Sequence, residues 1–277
     1  MKTILFPTDF SQSAGHALAW AQLLARHYNA TLQILHVFSP LMPVVPPPGM
    51  ADPLLATPES EAEANSRNQL EALAADLRAE GLFVQTSWQT GNVDEQILAA
   101  AHDIKADLIV TGRSDMHSFL DRLAGTHASG VAKSAHCPVL IVPTNAPEHP
   151  VQLQTIAYAT QLEGDDDATI RAILELACDF NAKLELIHVE AENQPNVFDD
   201  SDVLTDLQQT FGADVFRLHT LKSRTVSGGL AAYLDKHPVD LLVMTTRKRN
   251  FLDGLLKPSI TSRMVTHTQL PTLIYHD

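Results

Sequence analysis

Two short stretches in the first half of the chain carry residue types suited to holding a phosphorylated ligand. One is Pro7-Thr8-Asp9-Phe10-Ser11, where the Asp9 carboxylate can accept hydrogen bonds from ribose hydroxyls. The other runs from Gly112 to Thr126; Gly112 closes an apolar run, and Gly125-Thr126 immediately precedes a helical pattern. Glycine lets backbone approach a ligand closely, and the free amides at a helix start attract phosphate. Between the glycines stand Arg113, able to offset anionic charge, and Asp115, which adds to it. A plainer account fits the same residues, because isolated glycines have little specificity. In that account Gly112 and Gly125 are turn residues, Asp9 belongs to a helix start and Arg113 is a solvated surface cation.

Either account needs elements that bring the two stretches to one edge, and the apolar periodicity supplies them. A buried strand, Thr3 to Phe6, leads to a helix whose apolar positions are Ala14, Ala17, Leu18, Ala21, Leu24 and Ala25, with Ser11 or Ser13 as its N-cap. Strand Thr31 to Val37 follows, then a helix near Glu59 to Glu80 closed by Gly81, and strand Phe83 to Trp88. A helix with Val93, Ile97, Ala100 and Ala101 comes next. After it come strand Asp107 to Thr111, a helix near Ser129 to Ala135 and strand Pro138 to Val142. Short apolar strands alternating with helices predict a parallel sheet covered on both faces. Right-handed crossovers make it doubly wound, with ligands at the carboxyl ends of the strands, where both stretches lie.

The chain contains this pattern twice. Ile4-Leu5-Phe6-Pro7-Thr8-Asp9 aligns with Ile156-Ala157-Tyr158-Ala159-Thr160-Gln161 at an offset of 152 (156 − 4). The same register carries Asn29-Ala30 onto Asn181-Ala182 and Leu35-His36-Val37 onto Ile187-His188-Val189. Further on, Asp107-Leu108-Ile109-Val110 meets Asp240-Leu241-Leu242-Val243 at 133 (240 − 107), and Pro138 meets Pro271 at the same offset. The difference of 19 (152 − 133) falls between the second and third strands, where the first copy carries Leu41 to Ser60 with six prolines, a composition that reads as an exposed loop. The expected fold is therefore α/β: two tandem doubly wound domains, each with a five-stranded parallel sheet, at 1–144 and 151–277 and joined by a linker from Thr144 to Pro150. In the second copy Asp9 becomes Gln161, Gly112 is matched to Thr246, and Gly125 to Pro258 with Ser259 after it. That alignment leaves one residue missing between the glycine positions. Arg247-Lys248-Arg249 can hold an anion only with side chains, so the second copy reads as structural.

Composition narrows the functional classes. The 277 residues have a formal net charge of −14, with 8 basic and 15 acidic side chains up to residue 150, so neither half offers phosphate a basic face and nucleic acid is an unlikely partner. No apolar run approaches the roughly 20 residues of a membrane span. The N-terminus is too soon interrupted by Pro7 to read as a signal peptide. Two cysteines, Cys137 and Cys178, in different halves argue against a disulfide scaffold, and the expected compartment is cytoplasmic. The 13 histidines show no metal-ligand spacing. His36 and His188 end equivalent strands and read as a shared packing feature, Ser227-Gly228-Gly229 as a Gly-rich helix start, and Cys137 as buried and inert. No general base or nucleophile grouping is evident, so an enzyme is not expected beyond a slow ATPase.

Lys2 to Ser11, Leu35-His36-Val37, Thr111-Gly112, Gly125-Thr126 and Cys137 to Val142 together resemble the universal stress protein family. The resemblance spans both copies, more strongly the first, and implies the adenine-nucleotide α-hydrolase-like (HUP) fold. The family's ATP-binding branch is marked by Gly-x2-Gly-x9-Gly-Ser/Thr. Here Gly112, a nine-residue spacer from Met116 to Ala124, and Gly125-Thr126 match it, while Asp115 replaces the second glycine. The resemblance implies that Asp9 faces the ribose or adenine, with Thr8 in the same binding set, and that Val37 offers backbone groups to the adenine. It also implies that Gly112, Arg113, Gly125, Thr126 and the amide of His127 surround the phosphates. ATP, or AMP or ADP, is the implied ligand. Mg2+ would reverse the repulsion at Asp115. It further implies a cytoplasmic stress-response role exerted through conformation or partners, with the two domains packed as a pseudo-dimer and homodimerisation as a further expectation. An interaction scaffold without nucleotide is the alternative.

Overall fold

The computed structural model describes residues 1–39, 58–113, 127–144, 146, 153–160, 167–192, 200–212, 214–246 and 269–276. Asp115, Gly125, Thr126, Gln161, Arg247 to Arg249, Pro258 and Ser259 lie outside them, as do most of the Pro-rich stretch and most of the expected linker. The chain divides into two compact units, Met1–Val139 and Leu140–Asp277.

In the first unit β1 (Thr3–Pro7), α1 (Gln12–Tyr28), β2 (Thr31–Phe38), α2 (Pro58–Ala79), β3 (Val84–Thr90), α3 (Val93–Asp103), β4 (Leu108–Arg113) and α4 (His127–Ser134) follow one another. β5 (Val139–Pro143) straddles the division rather than ending before it. Strand order is β3-β2-β1-β4, and the described pairings are parallel. Ile4, Leu5, Leu32, Ile34, Leu35, Ile109 and Val110 are fully buried, as strands covered on both faces must be. Ser11 caps α1 by accepting from the Ala14 amide at 3.3 Å. On α1 the buried face includes His16 and Trp20, whereas Leu18 is only half-buried, because the buried stripe centres on Ala17, Ala21 and Leu24.

The second unit repeats the plan with β6 (Thr155–Thr160), α5 (Asp167–Phe180), β7 (Lys183–Ala191), α6 (Asp200–Phe211), β8 (Arg217–Ser223), α7 (Val226–Leu234), β9 (Leu241–Thr246) and β10 (Thr272–His276). Its strand order, β8-β7-β6-β9-β10, matches the first unit's, with β5 as the counterpart of β10. Thr225 caps α7 through the Gly228 amide, so Ser227-Gly228-Gly229 is a helix start, and Gly229 sits directly against the Val189 side chain.

The duplication extends to single hydrogen bonds. Asp107 Oδ2 accepts from the amides of Lys2 and Thr3 at 2.6 and 2.9 Å, and Asp240 Oδ2 accepts from Gln154 and Thr155 at 2.8 Å each. Ile109 donates to the Pro138 carbonyl and Leu242 to that of Pro271. Asn29 and Asn181 both follow a helix in the left-handed conformation, φ 51° and 52°, which asparagine tolerates. Strand register also refines the alignment. Ile4 pairs with Leu108 and Ile156 with Leu241, so Gly112 corresponds to Thr245, not Thr246, and the spacing to Pro258 is the same 13 (258 − 245) as in the first copy (125 − 112). No residue is missing there. Replacing Asp107 or Asp240 with alanine should cost about 0.5–1.5 kcal/mol by removing a charged acceptor shared by two largely solvent-accessible strand-start amides. Urea unfolding of each variant measures the loss.

Candidate functional site

The direction of chain progression reverses between β1 and β4: β2 and β3 extend to one side of β1 and β4 lies on the other. The crevice beyond the carboxyl ends at such a switch point is where open parallel sheets bind ligands. Register sets its walls. Leu5 stands opposite Ile109, so Thr8 and Asp9 leave the carboxyl end of β1 on the same sheet edge as Gly112 and Arg113 at the end of β4. Val37 lies near the end of the adjacent β2. Five of the nine expected site residues, Thr8, Asp9, Val37, Gly112 and Arg113, thus meet at one edge. His127 opens α4, two residues earlier than the periodicity indicates, which places its backbone in the first helical turn.

Between β1 and α1 the chain makes a tight, fully specified turn. The Thr8 amide donates to the Leu35 carbonyl at 2.8 Å. Thr8 Oγ1 accepts from the Phe10 amide and Asp9 Oδ1 from the Ser11 amide, each at 3.0 Å. The Asp9 side chain remains exposed, with one oxygen spent on its own turn. His36 reaches across from β2, its Nδ1 lying 2.8 Å from the Thr8 carbonyl. A carbonyl only accepts, so Nδ1 carries the hydrogen. His188 makes the equivalent bond to Thr160 at 3.3 Å, which gives the expected shared packing feature of the two histidines a definite form.

Two readings of the β4 end change. Gly112 does not close its strand; β4 continues through Arg113. A methyl group at Gly112 would collide with the Ser13 carbonyl and lie 2.9 Å from the Ala14 amide nitrogen. The glycine is therefore required by the first turn of α1, which rests on β4 with no side chain between them. Arg113 is 4% exposed, a buried cation at the crevice and not a solvated one. Burial of such a group demands partners of opposite charge or strong acceptors. Of the two N-cap candidates Ser11 takes the role, while Ser13 is buried with its hydroxyl 2.9 Å from that of Ser11; the part played by Phe10 and His36 was not read from the sequence. These depend on tertiary approach, and only the repeated histidine signalled any of it.

No group of three or more His, Cys, Asp or Glu side chains among the described residues is arranged to hold a metal ion, and no described helix is long and apolar enough to cross a membrane. Cys137 is buried, and burial pushes its thiol up to about 11. Its thiolate is therefore scarce at pH 8, and a thiol reagent at that pH should modify exposed Cys178 quickly and Cys137 only on unfolding; equal native rates would contradict this burial. Gly112→Ala should destabilise the protein by about 1–3 kcal/mol through overpacking against α1, read as a lowered urea midpoint.

The model of the Universal stress protein family matches residues 1–143 and 152–276. A universal stress protein from Thermus aquaticus is 32% identical over 141 residues, covering 51% of this chain and 98% of its own. One from a Synechocystis strain is 30% identical over 142 residues, covering 51% and 85%. Among solved structures, a universal stress protein from Archaeoglobus fulgidus superposes with a TM-score of 0.75 at 16% identity, covering 99% of this chain and 96% of that one. That superposition shows that the duplicated fold is shared across the whole length. With both halves matched, the chain belongs to the universal stress protein family.

Proposed function

We propose that the first unit binds ATP or a related adenine nucleotide (AMP or ADP) in the crevice between β1 and β4, and that the protein serves in stress response through conformation or partner binding. The observation that carries this reading is the placement of Thr8, Asp9, Gly112 and Arg113 at the carboxyl ends of β1 and β4, the switch point of a parallel sheet. Asp9 there is exposed and able to accept from ribose hydroxyls. The start of α4 follows Gly125-Thr126 and supplies free amides for phosphate. Mg2+ would be the natural companion where Asp115 neighbours phosphate. The second unit, with Thr245 and Pro258 where the first has glycines, takes a structural part. Turnover would be slow, since no general base or water-activating group can be named.

One observation favours the alternative, an interaction scaffold of the same fold without nucleotide: Gly112 already serves the packing of α1, and Asp9 already braces its own turn. Equilibrium titration with a fluorescent ATP analogue, with and without Mg2+, separates the two. Saturable binding is expected, and its absence at millimolar nucleotide overturns the proposal. Gly125→Val should weaken that binding by about tenfold or more, equivalent to about 1.4 kcal/mol, whereas a scaffold would keep its function in that variant. Mass spectrometry of the protein released under native conditions would detect nucleotide carried through purification.

A further inference from the structure

Four residues other than glycine have positive φ among the described residues: Phe10 at 61°, Asn29 at 51°, Lys105 at 52° and Asn181 at 52°. Three of them close helices. Asn29 follows α1, Asn181 follows α5, and Lys105 comes one residue after the C-cap of α3, positions where a left-handed residue completes the last turn. Phe10 does not end a helix. It is a bulky aromatic residue placed before the N-cap of α1, with no short polar side chain to offset the unfavourable backbone conformation.

Such a conformation persists only where the surroundings determine it, and here the surroundings are specific. The Phe10 ring stacks on His36, with centroids 4.8 Å apart and planes inclined by 30°. His36 is 9% exposed and donates from Nδ1 to the Thr8 carbonyl. One imidazole therefore grips the turn twice, by a hydrogen bond before Asp9 and by a ring face after it. The Phe10 amide is drawn back to Thr8 Oγ1, and the Asp9 carboxylate is braced on the Ser11 amide. Asp9 is thus the exposed residue of a turn whose two flanks are both held by a buried side chain from the neighbouring strand.

We propose that His36 is a positioning residue: by clamping Thr8 and Phe10 it holds the β1–α1 turn with Phe10 in its left-handed form, so that the exposed Asp9 meets ligand already oriented. This rests on the nucleotide reading above for the identity of the ligand, but the clamp itself does not depend on it. Holding a binding loop in its bound shape raises affinity by removing the cost of ordering it.

The test uses the full chain and the variant His36→Asn, which keeps a side-chain N–H for the Thr8 carbonyl and removes the ring that supports Phe10. A second variant, Phe10→Leu, removes the stack from the other side. Without ligand, NMR should show a strong intraresidue Hα–HN cross-peak at Phe10 of the unaltered chain, the mark of positive φ, and an Nδ1-protonated His36. In His36→Asn the Phe10 cross-peak should weaken. Titration with the ATP analogue, at a temperature where circular dichroism shows all three proteins folded, should then give about tenfold weaker binding for both variants. A turn that keeps positive φ at residue 10 in His36→Asn overturns the clamp. A relaxed turn with unchanged affinity overturns the positioning role. Failure of the unaltered chain to bind the analogue overturns the nucleotide reading and the ligand half of this inference, and it is distinguishable because the turn's response is measured without nucleotide.

Discussion

Register between β1 and β4 is the constraint on which the first unit's carboxyl edge depends. At the amino edge, Asp107 receives two amides from the start of β1 and returns its own amide to the Thr3 carbonyl. That pins Ile4 opposite Leu108. Both strands then run in parallel to the same edge, where Thr8 follows β1 and Gly112 lies in β4. A slip of one residue would turn every side chain of β1 to the opposite face, exchanging the close-packed sites of Ile4 and Leu5 and displacing the end of β1 relative to β4. A carboxylate at one end of the sheet thereby decides which groups meet at the other.

Under the proposed nucleotide reading, structural and binding duties would fall on the same atoms. Gly112 lets α1 lie on β4, and this close approach carries Ser11 and Ser13 to the crevice rim. Asp9 braces the turn that displays it. Substitution at such residues changes stability and ligand affinity together. The two effects have to be measured separately before either is assigned, because a site that is merely unfolded also fails to bind.

Much of the fold could be read from the residues in order. Apolar runs at strand length, helical spacing on α1 and α3, and Gly81 after α2 located the elements to within a few residues, because each signal is local. Duplication was legible because Asn29 and Asn181, or Asp107 and Asp240, serve the same backbone needs in each copy. The site was legible only as a set of edge residues. Matching Gly112 to Thr246 departed by one residue from the offset of 133 that Asp107 and Pro138 set, and strand pairing restores that offset. Arg113 read either as a site cation or as a solvated one, because nothing adjacent to it in sequence announces its burial. The His36 link to Thr8 spans 28 residues and appears only once β1 and β2 lie side by side.

The histidine bond at His188 and Thr160 gives the second unit a meaning of its own. That unit keeps the strand order, the aspartate at the sheet's amino edge, the left-handed asparagine and the histidine, while threonine stands where the crevice glycine was. Within one polypeptide, then, the protein carries a domain and its own natural variant, folded in the same solvent and at the same concentration. What the two halves share, the strand order, the edge aspartate, the left-handed asparagine and the histidine, therefore marks what this architecture keeps when the rest of its edge changes.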